Sequence, residues 1–141
     1  EVHFGSSESV ITDAFGKPTY KRVNHEDEIE LHYSNYIIRL DSATKLFREF
    51  TLLPGCEARI NDVDVDWSDT FLHVVQRLDP ELVEVLGFIL SLKLGISFSG
   101  FHDGDRSQMA IHAFRIGDWD RFRERMKPFH FLSSKTDLRL V

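Results

Sequence analysis

The apolar positions along the chain change period several times, and each change marks an element. Val10, Ile11, Ala14 and Phe15 recur at helical spacing behind Gly5-Ser6-Ser7, whose hydroxyls suit a helix start, and Gly16-Lys17-Pro18 ends the run. Strand patterns follow. Residues 25–33 are acidic early and apolar late. Residues 35–40 alternate, with Tyr36, Ile38 and Leu40 on one face. Asp41-Ser42-Ala43-Thr44 is turn chemistry. Residues 45–53 alternate again, placing Leu46, Phe50 and Leu52 on one face and Phe47, Glu49 and Thr51 on the other. Pro54-Gly55 interrupts, residues 56–60 read as a short strand, and Asn61-Asp62 turns the chain.

The same order then returns. Val63-Asp64-Val65 echoes Val2-His3-Phe4, and Asp66 to Thr70 echoes Gly5 to Ser9 as a helix start. Phe71, Leu72 and Val75 take the places of Val10, Ile11 and Ala14, and Leu78-Asp79-Pro80 stops the helix. Strand-like runs follow at 82–86, 88–98 and 108–114. The loop 99–107 takes the place of the turn at 41–44. Residues 81–92 also fit a helix, but Gly87 and the β-branched residues favour strand. A last helix is expected after Gly117-Asp118, with Asp118 as its cap and Trp119, Phe122 and Met126 as its buried stripe; Pro128 closes it.

The expected fold class is therefore α+β, in one domain spanning 1–141. Two degenerate helix-plus-β-meander repeats, about 2–60 and 63–114, build a curved antiparallel sheet of seven or eight strands. Helices near 7–16, 68–78 and 118–127 pack on one face, and 115–141 forms the C-terminal helix and tail. Leu138 and Leu140 suggest an edge strand or docked extension in that tail.

The stretches "FGSSESVITDAFGKP" and "YIIRLDSATKLFREF", with their weaker second copy, resemble the tandem helix–hairpin α+β repeat proteins of the β-lactamase inhibitor protein type and the SmpA/BamE-like outer-membrane lipoprotein units. The resemblance covers about residues 2–114. It implies a binding protein without a catalytic centre, whose sheet and hairpin loops make the contacts. The cysteines that would staple such units are absent, and no inhibitory motif is carried over. The stretch "LGISFSGFHDGDRSQMAIHAF" is also similar to small bacterial proteins that look like immunity partners of toxins.

Composition narrows the partners. The formal charge of −6 argues against nucleic acid and suits a basic protein. The one cysteine, Cys56, excludes an internal disulfide and reads as structural. No segment is long enough to span a membrane, so no membrane insertion is expected. The expected compartment is the cytoplasm, or the periplasm if a signal segment upstream of Glu1 has been removed.

Candidate chemistry is sparse. His102, Asp103, Asp105 and Arg106 bring a histidine and two carboxylates together, yet Asp-Gly-Asp between strands is ordinary turn chemistry, and other metal ligands are missing. Asp62, Asp64 and Asp66 resemble a calcium loop, but Trp67 stands where glycine is needed and His73 where glutamate is needed. The acidic run 25–30 and the basic residues Arg121, Arg123, Arg125 and Lys127 read as solvated faces. Nucleophile motifs are lacking. The expected function is a non-enzymatic module binding another protein, an immunity or inhibitor protein occluding a toxin or enzyme. Asp41, Phe101, His102, Asp103, Asp105 and Arg106 are its expected contact residues, with no cofactor and no metal. The alternatives are an envelope assembly or scaffold domain of a lipoprotein, and a small metal-dependent hydrolase using the 102–105 loop.

Overall fold

The computed structural model describes residues 2–101 and 105–131. The fold is α+β, with a large antiparallel sheet and few helices. Helix α1 (Glu8–Phe15) precedes strands β1 (Tyr20–Val23), β2 (Ile29–His32), β3 (Tyr36–Leu40) and β4 (Phe47–Leu52). A small hairpin, β5 (Arg59–Ile60) and β6 (Val63–Asp64), leads to helix α2 (Phe71–Leu78). Strands β7 (Val83–Val85), β8 (Phe88–Ser91), β9 (Ile96–Ser99) and β10 (Ala110–Phe114) follow, and β11 (Lys127–Pro128) comes last. The main sheet runs β1-β2-β3-β4-β10-β9-β8-β7-β11. Two four-strand meanders therefore meet where β4 pairs antiparallel with β10.

Residues directly opposite in antiparallel strands share a face. Ile38 faces Phe50, Phe50 faces Ala113, and Ala113 faces Ile96, so these four lie on one side. Helix α1 covers the first half of that side with Ile11, which is buried with Leu31, Ile38, Leu40 and Phe47. Helix α2 covers the second half with Phe71, Leu72 and Val75 against Ile89, Ile96, Phe98 and Ile111. Ser7 caps α1, its hydroxyl accepting from the Val10 amide.

Several expectations change here. Only Ile11 of α1 is buried; Val10 and Phe15 are exposed. The expected run 88–98 is two strands, because Ser91 to Gly95 turns the chain, the Gly95 amide donating to the Ser91 carbonyl. The expected strand 56–60 shrinks to β5, and Cys56 is buried beside it. Phe47 joins Phe50 in the core, because the register shifts at Arg39/Leu40 and a bulge at Arg48 resets the alternation; Leu46 is left exposed. The preference for strand over helix at 81–92 holds: Leu86 and Gly87, both at positive φ, form a two-residue hairpin between β7 and β8.

The C-terminal helix departs from expectation in type, in the side of the sheet it covers and in how it ends. Asp120–Arg125 is a 3-10 helix capped at Trp119, and Asp118 bonds Arg115 instead. It also packs on the opposite side of the sheet from α1 and α2. Trp119, Phe122 and Met126 cover Val85, Leu90 and Phe114, which alternate with the residues beneath α2. The three-residue spacing of Trp119 and Phe122 matches one 3-10 turn, which stacks both rings toward the sheet. Pro128 does not close a helix; it pairs with Val83 in β11. Leu138 and Leu140 lie outside the described residues. No helix among the described residues is long and apolar enough to cross a membrane.

Candidate partner-binding surface

The expected contact residues fall at opposite ends of the sheet. Asp41 opens the β3–β4 turn, whereas Phe101, Asp105 and Arg106 lie between β9 and β10. Leu40 pairs with Phe47 at one end of β4, and Ile111 pairs with Leu52 at the other. A strand rises about 3.3 Å per residue, so these ends stand roughly 17 Å apart. His102 and Asp103 lie outside the described residues.

At this end the described residues divide between core and solvent. Phe101 is fully buried against Trp67, Phe71 and Phe98, so its ring is core and not contact surface. Asp105 caps the short 3-10 helix Arg106–Gln108, its carboxylate accepting from the Ser107 amide at 3.0 Å. Arg106 is exposed. Gly100 has φ 78°, and a Cβ there would stand 2.2 Å from the Gln108 carbonyl oxygen. A cavity of about 850 Å³ adjoins this end, lined by Asp69, His73, Glu84, Arg125 and Phe101 among others. Its charges are of both signs, and no group of three or more metal-ligating side chains is found among the described residues.

The β3–β4 end is built differently. Asp41 accepts from the Ala43 and Thr44 amides at 2.8 and 3.0 Å. Those bonds, with Arg115 and Arg48 nearby, hold its carboxyl below the usual range. The Asp41 amide donates to the Leu46 carbonyl at 2.8 Å. The Arg115 guanidinium grips Asp118 with two hydrogen bonds, at 3.2 and 3.3 Å, and lies 3.6 Å from Asp41. Between Arg115 and Asp118 sits Ile116, 98% exposed. Leu46 and Phe4 are exposed at the same end, Phe4 packing its ring on Phe47. Leu46 and Ile116 are thus exposed on turns fixed by charged hydrogen bonds.

Sequence reading missed a third feature. On the sheet side away from α1, Arg22, Glu30, Arg39 and Glu49 sit opposite one another across β1 to β4. Arg39 donates to Glu30 at 2.9 Å, to Glu49 at 2.5 Å and to Thr51 at 2.6 Å. Glu30 also meets His32 at 2.9 Å and Arg22 at 3.2 Å. Burial alone would raise the Glu30 carboxyl, but bonds from His32, Arg39 and Asn24 bring it to about 2. Glu28 pairs with Arg48. Glu28 and Glu30 are therefore buried and internally paired, which corrects the reading of a solvated strand end for these two, whereas His25, Glu26 and Asp27 are exposed as that reading expects. Burial raises Glu49 despite its arginine neighbours. His112, whose Nδ1 lies 2.9 Å from the Thr51 hydroxyl, is pushed down to about 4 by burial and then by Arg39. These groups satisfy one another, and among the described residues no buried side-chain polar atom lacks a partner. The only available signal was the polar set of alternate positions, which looks the same for a wet face and for a paired one.

No protein family, curated protein or solved structure matches the chain.

Proposed function

We propose that this chain is a non-enzymatic module that binds another protein, in the manner of an immunity or inhibitor protein occluding a toxin or enzyme. The observation that carries the reading is Ile116. A β-branched apolar side chain at 98% exposure, on a turn pinned by the Arg115–Asp118 bonds, is organised before any partner arrives. Leu46 and Phe4 extend the apolar area, and Asp41, Arg115 and Asp118 supply a charged rim. Asp41 keeps the contact role expected of it; Ile116, Leu46 and Arg115 replace Phe101 in that role.

We further propose that the two halves are degenerate copies of one unit. The order helix-then-four-strands occurs twice, and the copies meet antiparallel at β4 and β10, which supports this reading. Within it, the connection from β9 to β10 corresponds to the β3–β4 turn of the first half, and its described residues Gly100, Phe101 and Asp105 to Met109 lie at the other end of the sheet.

The test uses extract from the native source passed over immobilised wild-type protein and over Ile116→Asp. The reading expects a stoichiometric protein partner on the wild type that is lost on the variant. A partner held equally by both places the contact elsewhere, and recovery of none opposes the reading as a whole.

A further inference from the structure

Among the described residues, strand β1 is the unpaired edge of the sheet, and its chemistry is unusual. All four of its residues are exposed, Tyr20 and Val23 at 54% and 61%. The Asn24 amide donates to the Glu28 carbonyl at 3.0 Å, which sets the alternation of the β1–β2 ladder. Arg22 and Tyr20 exchange bonds with β2, so Lys21 and Val23 turn their amide and carbonyl groups to the outside. The outer rim thus carries two backbone donors and two acceptors, spaced for another strand. In a chain of net charge −6, residues 17–23 hold Lys17, Lys21 and Arg22 and no carboxylate. Lys21 is steadied by Glu8 of α1 and Arg22 by Glu30, yet both side chains remain about half exposed, at 50% and 54%.

We propose that β1 is a docking edge for an extended acidic segment of another protein, which adds antiparallel as an outer strand. The side chains define the segment. Lys21 and Val23 point to the α1 side, Tyr20 and Arg22 to the other. The matching order is apolar, acidic, acidic, apolar, opposite Val23, Arg22, Lys21 and Tyr20. A second copy of this chain does not fit. The two antiparallel registers overlapping three or more β1 residues set Lys21 against Lys21 or Arg22 against Arg22, and like charges directly opposite repel. This surface is separate from the one centred on Ile116, so either proposal can fail alone.

The experiment measures fluorescence anisotropy of a labelled, end-blocked peptide, Thr-Val-Glu-Glu-Val-Thr, against the full chain, with Thr-Val-Lys-Lys-Val-Thr as control. The proposal expects saturable binding of the acidic peptide and at least tenfold weaker binding of the basic one. Lys21→Glu lowers affinity at least tenfold. Val23→Pro removes an outward amide without touching the bonds to β2 and abolishes binding. Glu124→Gln, an exposed position on the 3-10 helix far from β1, leaves the peptide affinity unchanged. Should Val23→Pro not fold, amide exchange on the wild type decides, since the peptide slows exchange at Lys21 and Val23. Absence of saturable binding, equal binding to Lys21→Glu and wild type, exchange at Lys21 and Val23 unaltered by bound peptide, or self-association of the wild type through β1 overturns the proposal.

Discussion

His112 makes the fold sensitive to mild acid. Its ring lies between β4 and β9, facing Thr51 and, 4.0 Å away, Glu49, with the Phe88 ring edge-on and the Arg39 charge nearby. Burial and Arg39 both oppose a second positive charge. The imidazole therefore titrates at about 4 in the fold, against 6.5 when free. A depressed histidine stabilises the fold fully above the free value and loses that contribution as the pH falls through the folded value. The gap of about 2.5 units corresponds to roughly 3.4 kcal/mol at 1.36 kcal/mol per unit. Of this, about 2 kcal/mol is lost between pH 7 and pH 5. Glu49 acts with the opposite sign. Its raised carboxyl favours the fold at low pH and loses that contribution as pH rises, so the wild-type slope alone is blunted. The comparison with His112→Gln removes this ambiguity, because the glutamine amide retains a partner for Thr51 and does not titrate. Urea unfolding at pH 7 and pH 5 gives the two stabilities. The wild type should lose about 2 kcal/mol more than His112→Gln over that interval. Equal losses in the two proteins would refute the reasoning.

Three further outcomes follow from the geometry. Glu30→Gln should cost about 2–3 kcal/mol at pH 7, since it removes the negative charge shared by Arg22, His32 and Arg39 and replaces one of the two accepting oxygens with an amide NH2 that can only donate. Because the Glu30 carboxyl is held near 2, the deficit should shrink as the pH falls from 4.5 towards 2, measured by chemical unfolding across that window. Gly100→Ala should destabilise by at least about 2 kcal/mol, from positive φ and the backbone oxygen in the way, and is read as a lowered melting temperature. Leu86→Asn should stabilise by about 0.5–1 kcal/mol, since asparagine accepts the φ of 53° in the β7–β8 hairpin that leucine does not; a lower melting temperature would show that the turn is not of this type.

The elements whose apolar residues are buried were legible in the chain. Phe71, Leu72 and Val75 announce α2, and Tyr36, Ile38 and Leu40 announce β3, because one face meets the core and the other does not. β1 left no such trace, since an edge strand exposed at every position has no reason to alternate. Ser91 to Gly95 was hidden because Leu92 and Leu94 continue the apolar run while the backbone turns. The bulge at Arg48 is a backbone event, and it moved Phe47 to the other face without any change in local composition. The site was less legible than the fold. Phe101 carries the same ring whether it packs on Trp67 or meets a partner, and only the tertiary fold decides. Ile116 stood alone between Arg115 and Gly117, and its value comes from the Arg115–Asp118 clasp, which links residues that a pattern of apolar spacing does not connect.

The central claim is that Ile116 anchors a protein contact. Calorimetric titration of the partner recovered from the native source into wild-type protein and into Ile116→Ala tests it most directly. Burying an isoleucine side chain is worth roughly 1.5–3 kcal/mol, so the alanine variant should bind about ten- to hundredfold more weakly with its fold intact. Equal affinities for the two proteins would contradict the account.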